Sequence, residues 1–183
     1  MALEEPAHEV LQRWGDVELR RYRPLLVAET RVEGARDEAS SEGFRRLAGY
    51  IFGNNRPRGA VALSAQEAPQ RIAMTAPVAQ APSPDGAAWT LQFTMPAAWT
   101  LETLPTPEDP RVRVRACPER RVLTVRYRGS WTEARRQAHE AILLDTARRE
   151  GLRVIGPLTW ARYDPPWMPW FLKRNEIWVD VAP

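Results

Sequence analysis

The sequence predicts an α+β protein in which two β-β-α-β-β units form one curved, barrel-like antiparallel sheet flanked by two helices. Residues 17–32 and 112–127 both alternate apolar with polar side chains, and each run ends near a glycine that precedes a helix-like segment. The two runs are offset by 95 positions, from 17 to 112, without a gap. Two more strand-like runs follow each helical segment, which predicts an internal duplication with pseudo-twofold symmetry.

The strands follow from alternation and from turn residues. Residues 17–32 alternate on both sides of Arg23-Pro24, which predicts a β-hairpin, and residues 112–127 predict a second one. Further strands are predicted over 72–78, 89–95, 158–163 and 176–181. Residues 79–88 contain Pro-Ser-Pro-Asp-Gly and predict an exposed loop.

The helices follow from apolar spacing and from capping residues. The first is predicted over about 39–52, with Ser40 or Ser41 as its N-cap. Its apolar stripe has the i, i+3, i+4, i+7 spacing and consists of Phe44, Leu47, Ala48 and Ile51. The second helix is predicted from the cap Thr132 to Gly151, with His139 on a solvated face.

Length and charge bound the class of protein. With 183 residues, the chain is predicted to form a single domain over 1–183, with repeat halves at about 17–96 and 111–183. The net charge is +3, and basic and acidic residues are interleaved, so we expect no nucleic-acid partner.

The single Cys117 excludes an internal disulfide. No signal peptide and no apolar run of about 18 residues is visible, which predicts a cytoplasmic protein without a membrane span.

The sequence lacks the motifs of common enzymes. It has no visible nucleophile with its base and no glycine-rich phosphate loop, and its two histidines, His8 and His139, do not have metal-ligand spacing. We therefore predict no metal site and no catalytic residues. Tyr163, Asp164 and Glu176 could exchange protons if they were buried beside a ligand, but the stronger interpretation of the two acids is structural, with Asp164 as a turn residue and Glu176 as a hydrogen-bonded strand end.

Residues 162–181 contain an unusually apolar stretch, "RYDPPWMPWFLKRNEIWVDV". Its aromatic side chains and stiffening prolines are suited to a flat apolar molecule, and Lys173 and Arg174 could pair with acid groups at the edge of that molecule. The alternative is structural. In that case Trp167, Trp170 and Phe171 cap the open end of the sheet core, the helical stripe is ordinary core, and the two cations are a solvated strand start.

The chain resembles the SOUL heme-binding protein family over nearly its whole length. The resemblance is carried, in order, by "VELRRYRPLLVAET", "FRRLAGYIFGNN", "RIAMTAPV", "FTMPAAWTLETLPTPEDPRV" and "ARYDPPWMPWFLKRNEIWV". It implies a duplicated barrel-like sheet with two helices, related in fold to bacterial effector-binding domains. It also implies that heme or another porphyrin binds in an apolar cleft between the first helix and the loop joining the last two strands.

Carried over residue by residue, the resemblance implies a ligand-binding site with two walls. Phe44, Leu47, Ala48 and Ile51 form one wall; Tyr163, Trp167, Met168 and Phe171 form the other; Lys173 and Arg174 face the propionates. Some relatives are proposed to hold the iron through a histidine near the first helix, but this chain has no histidine between His8 and His139. We therefore expect a porphyrin held by its faces and carboxylates, and Tyr50, Met74 and Cys117 have no geometric support as iron ligands.

Three functions are consistent with this sequence. The first is non-enzymatic heme or tetrapyrrole binding, as a carrier or buffer. The second, by analogy with effector-binding relatives, is a module for another flat apolar molecule, with Glu176 contacting a cation on it. The third is a small-molecule hydrolase that uses Glu176 or Glu102 as a cleft carboxylate.

Overall fold

In a computed structural model, one curled antiparallel sheet carries two helices, which confirms the predicted α+β class. The structure describes residues 3–58, 68–164 and 167–183. In chain order the elements are β1 (His8–Trp14), β2 (Val17–Tyr22), β3 (Leu25–Val32), α1 (Arg36–Phe52), β4 (Asn55–Arg56), β5 (Val78–Pro82), β6 (Trp89–Thr94), β7 (Thr106–Pro107), β8 (Val112–Cys117), β9 (Arg120–Arg128), α2 (Glu133–Arg149), β10 (Thr159–Arg162) and β11 (Arg174–Val181).

The main sheet has nine strands in the order β1-β2-β9-β11-β10-β5-β6-β3-β8, and β4 pairs separately with β7. Both predicted hairpins are wrong, because β2 pairs with β1 and β9 whereas β3 pairs with β6 and β8. Alternation identified the strands but could not identify their partners. Each half contributes strands to both ends of the sheet, and the internal duplication itself stays a prediction.

The strand predicted over 72–78 is displaced along the chain. Its ladder begins only at Val78, and Ala79, which we expected in an exposed loop, is buried between β6 and β10. Pro77 explains the boundary, because proline has no N–H to donate and β5 has a neighbour on each side. Among residues 72–77, Thr75 forms an isolated bridge with Glu4.

The two helices lie close to their predicted positions. The first begins three residues earlier than expected, with Ala35 at its N-cap, and Ser41 donates instead to the carbonyl of Asp37. The second begins at Thr132 as predicted, and the Thr132 side chain accepts a hydrogen bond from the Arg135 N–H. Beyond its end, Gly151 has a φ of +65°.

Both helices cover the same face of the sheet. Leu47, Tyr50 and Ile51 of α1 are buried in one core, and Leu143 and Ala147 of α2 are buried in another. Because successive side chains of a strand point to opposite faces, the other face of the sheet carries a third cluster. That cluster contains Tyr22, Val122, Ala161 and Trp178.

Within the described ranges, neither helix is long and apolar enough to cross a membrane.

The contact between α1 and the sheet leaves no space at Gly43. A Cβ at this position would lie 2.6 Å from Cδ1 of Leu91, a fully buried side chain of β6. We predict that Gly43→Ala lowers the free energy of unfolding by about 1–3 kcal/mol, because overpacking outweighs the better helix propensity of alanine. Gly156→Ala is the matched control, since its Cβ would meet Asp180 at an ordinary 3.7 Å. Urea denaturation of both variants measures the difference, and equal stabilities would contradict the close contact.

Candidate functional site

The four predicted residues of α1 divide between core and surface. Leu47 and Ile51 are fully buried, and Ala48 is half-buried. Phe44 is exposed, and its ring meets the edge of Phe93 at a centroid distance of 5.5 Å. Only Phe44 and Ala48 of this wall therefore reach the surface without a rearrangement of the core.

The loop between β10 and β11 presents large apolar side chains to solvent. We call residues 167–172 the apolar arm; Pro165 and Pro166 lie outside the described residues. Trp167 is 83% exposed, Trp170 61% and Phe171 56%, whereas Met168 is half-buried. The rings of Trp170 and Phe171 meet edge to face at 5.8 Å. These aromatic groups do not cap the sheet core, and exposed apolar groups on this scale are typical of binding surfaces.

The register of the sheet brings the start of the loop that carries the apolar arm close to α1. Phe93, Val78 and Arg162 lie opposite one another on β6, β5 and β10. Phe44 of α1 packs on Phe93, and Nη1 of Arg162 lies 3.4 Å from Oγ of Ser40. Since the loop that carries the arm leaves the sheet just after Arg162, it starts beside the Ser40–Phe44 edge of the helix.

Tyr163 and Arg174 lie on the face away from the helices. The hydroxyl of Tyr163 donates to Oε2 of Glu176 at 2.7 Å, and the guanidinium of Arg174 stacks over the Tyr163 ring at 3.7 Å. Arg174 also donates to Glu5 at 2.8 Å. The structure therefore brings these two predicted site residues together with each other and not with the wall on α1.

Lys173 lies where the apolar arm meets β11. It is half-buried, its N–H donates to the Trp170 carbonyl at 3.3 Å, and its carbonyl accepts from the Gly129 N–H at 3.0 Å. These backbone contacts fix the end of the arm against the sheet.

Glu176 is the centre of a buried polar cluster that sequence reasoning did not assemble. Its side chain is 0% exposed. Oε2 accepts from Arg20 Nη1 at 2.9 Å, from Tyr163 and from Trp178 Nε1 at 2.8 Å. Oε1 accepts from Arg20 Nη2, from Arg126 Nε and twice from Arg174. The carboxylate is thus saturated with donors of the protein itself.

Charge compensation keeps Glu176 ionised. Burial alone would raise the pKa of Glu176, but hydrogen bonding and charge from Arg20, with hydrogen bonds from Trp178 and Tyr163, lower it to about 2. Burial, together with the charge of Glu176, raises the pKa of Tyr163, which therefore remains a donor. Arg20 is the missed residue. The signal for it was a charged side chain midway between Glu18 and Tyr22 in the alternating run 17–32.

The histidines and the three candidate iron ligands are engaged elsewhere. His139 is half-buried rather than solvated, because its ring stacks on Tyr127 at 4.1 Å. The hydroxyl of Tyr50 donates to the Pro105 carbonyl at 2.8 Å, Cys117 is buried, and Met74 packs against the α1 core. In the described part of the chain, no group of three or more His, Cys, Asp and Glu residues could hold a metal ion.

A cavity of about 540 Å³ lies beside the start of β3 and the segment that follows β6. None of the ten predicted site residues lines it, whereas Glu102, one of the two carboxylates considered for hydrolysis, does.

Comparison with known proteins identifies the family. The model of the SOUL heme-binding protein family matches residues 3–180. The chain belongs to the SOUL family. This match spans all of the residues on which the resemblance was based. A comparison with curated proteins gave no match.

Solved structures share the fold of this SOUL protein at low identity. The C-terminal domain of EcmrR has a TM-score of 0.64 at 10% identity, covering 91% of this chain and 96% of that one. A hydrolase from Listeria innocua has a TM-score of 0.61 at 14% identity, covering 94% of each chain. SAV2435 bound to tetraphenylphosphonium has a TM-score of 0.51 at 12% identity, covering 91% and 93%. At these identities the likeness shows the fold alone.

The Glu176 cluster predicts a specific acid sensitivity. A carboxyl whose pKa falls from 4.5 to about 2 on folding stabilises the native state above pH 4.5, and this stability is lost as the pH falls from about 4.5 towards 2. We expect this group alone to account for about 3 kcal/mol of the loss. Urea denaturation of wild type and Glu176→Gln between pH 6 and pH 2.5 measures it.

The variant should be less stable at pH 6, since the buried Arg20 then keeps only Glu18 as a carboxylate partner, and its stability should fall less steeply with acid. Glu119→Gln, at an exposed position, is the control and should follow wild type. Parallel curves for wild type and Glu176→Gln would contradict the assignment.

Proposed function

We propose that this SOUL protein binds heme or a related tetrapyrrole without catalysing a reaction, as a cytoplasmic carrier or buffer. The site lies between the apolar arm and the Ser40–Phe44 edge of α1. The observation that carries the proposal is the exposure of Trp167, Trp170 and Phe171 on one short loop, which leaves the sheet where Arg162 contacts Ser40 of α1. Family membership supports the choice of ligand class.

The exposed aromatic rings of the apolar arm are suited to bind a planar apolar ligand. Trp and Phe side chains offer large contact areas and have few rotatable bonds. Little side-chain entropy is therefore lost when a flat molecule binds to them. Leu172 and Phe44, both exposed, extend the same apolar surface on the arm and the helix. Leu47 and Ile51 would support this wall from the core behind it.

A positively charged side chain lies near the proposed position of the ligand's carboxylates. Arg162 is half-buried on the helix face of β10, stacks on Trp131 at 5.0 Å and contacts Ser40. Burial lowers the pKa of Arg162, but an arginine remains charged at neutral pH. Arg174 is a weaker candidate than the sequence suggested, because Glu5 and Glu176 already hold its guanidinium. We propose Arg162, together with Lys173, as the partner of the propionates.

The residues present fit the porphyrin better than they fit its iron. Heme would supply iron chemistry when bound, but Tyr50 and Cys117 are buried, and Met74 is partly buried against the α1 core. We therefore propose binding through ring faces and carboxylates, which does not require the metal.

The geometry around Glu176 is less favourable to the two alternatives that use it. A ligand cation would have to displace Arg20, Arg126 or Arg174 from the carboxylate. A general base needs an accessible lone pair, and both oxygens of Glu176 already accept several hydrogen bonds.

Porphyrin titration tests the proposed site. We predict a Soret shift when hemin is added, and affinities for hemin and metal-free protoporphyrin that agree within tenfold. The double variant Trp167→Ala, Phe171→Ala should weaken both affinities at least tenfold, because it removes two of the proposed contact surfaces.

His139→Ala is the matched control and should bind hemin like wild type, because its ring is stacked on Tyr127. Hemin binding at least a hundredfold tighter than protoporphyrin, about 2.7 kcal/mol, would instead require an iron ligand. Unchanged affinity in the double variant would exclude the apolar arm.

The role of Arg162 can be separated from general packing by removing the charge of the ligand. We predict that Arg162→Gln weakens protoporphyrin binding three- to tenfold but leaves the affinity for protoporphyrin dimethyl ester unchanged, since the ester has no carboxylate to pair. Fluorescence quenching measures both affinities. Arg128→Gln, a surface substitution on β9, is the control. Equal losses for acid and ester would show that Arg162 acts only through packing.

A further inference from the structure

The cavity beside β3 has apolar walls built from three separate segments. Leu25 and Leu26 come from the start of β3, Met95 follows β6, and Trp99 and Leu101 belong to the segment after it. Its volume of about 540 Å³ lies in the range of cavities that hold small organic molecules. It is therefore a candidate binding site distinct from the apolar arm.

Hydrogen bonds hold these walls in place without a ligand. The Met95 N–H donates to the Leu26 carbonyl at 2.8 Å, and Thr75 Oγ1 donates to the Thr94 carbonyl at 2.5 Å. The Glu4 carbonyl accepts from the Ala76 N–H at 2.9 Å, which holds the first described residues against Thr75. A preformed cavity loses little conformational entropy on binding.

The charged groups that line the cavity are mainly acidic. Glu4, Glu5 and Glu102 line it, against the single cation Arg23. Glu5 is paired with Arg174. Oε1 of Glu4 accepts a hydrogen bond from the Ala97 N–H at 2.7 Å. Among the described residues, Oε2 of Glu4 has no hydrogen-bond donor.

Glu102 stays ionised at neutral pH. Hydrogen bonding from Thr100 lowers its pKa, and the charge of Arg58, which does not line the cavity, acts in the same direction. The cavity is thus lined by both apolar side chains and carboxylates.

We propose that this cavity is a second binding site, for a compact apolar molecule that carries a positive charge, such as an aryl or alkyl ammonium ion. The apolar part lies against Leu25, Met95 and Trp99, and the indole face adds a cation–π contact to the charged head. Glu4 and Glu102 select the sign of the charge. This site is independent of the tetrapyrrole proposal, since the two share no residue.

The test compares three probes of similar size. Benzyltrimethylammonium, neutral benzyl alcohol and the anion phenylacetate are titrated into the ¹⁵N-labelled full chain, and chemical shifts report both the site and the affinity. We expect the cation to bind at least tenfold more tightly than either of the other probes, with shifts at Leu26, Met95 and the Trp99 indole. Benzyltrimethylammonium binding should weaken with added salt.

Conservative variants test the carboxylates. Glu4→Gln and Glu102→Gln should each weaken binding of the cation at least threefold, whereas Glu150→Gln, at the exposed end of α2, should not change it. Trp167→Ala, Phe171→Ala should also leave it unchanged, so failure of this site and failure of the tetrapyrrole site are distinguishable. Equal binding of cation and neutral probe, shifts confined to other regions, or no shift at 10 mM cation would each overturn the proposal.

Discussion

The buried pair of Arg20 and Glu176 is the interaction on which the helix-free face of the sheet depends. The two side chains come from β2 and β11, which lie on either side of β9, and both are almost completely removed from water. Neither charge could remain there alone, because an unpaired buried ion costs several kcal/mol. The pair therefore fixes the arrangement of three adjacent strands, and Tyr163, Trp178 and Arg174 assemble around it.

This polar centre divides the molecule into two faces with different chemistry. The helix face is an apolar core on which α1 and α2 pack, and the apolar arm begins at its margin. The other face carries hydrogen-bonded charges beside the cluster that includes Tyr22 and Ala161. Aromatic side chains remain exposed on the arm because the sheet core is already filled without them. The surface proposed to bind a tetrapyrrole is thus separate from the interactions that stabilise the fold.

The sequence predicted most of the elements but not how they pair. Apolar spacing located α1 within a few residues, because this helix buries a stripe that its own sequence encodes, whereas Thr132 and Gly151 located the ends of α2. Alternation also located β6 and β10. It could not reveal that β2 and β3 lie far apart in the sheet, because that depends on contacts with residues about 60 to 100 positions away. Alternation also gave no sign that Arg20, a charged residue of β2, is buried against Glu176.

Residues 4–7 contact parts of the protein that are distant from one another in the sequence. Glu4 bridges to Thr75 and holds Ala97, while Glu5 reaches Arg174 at the start of the last strand. A polypeptide shortened by these few amino acids would lose one side of the cavity and one partner of Arg174 together.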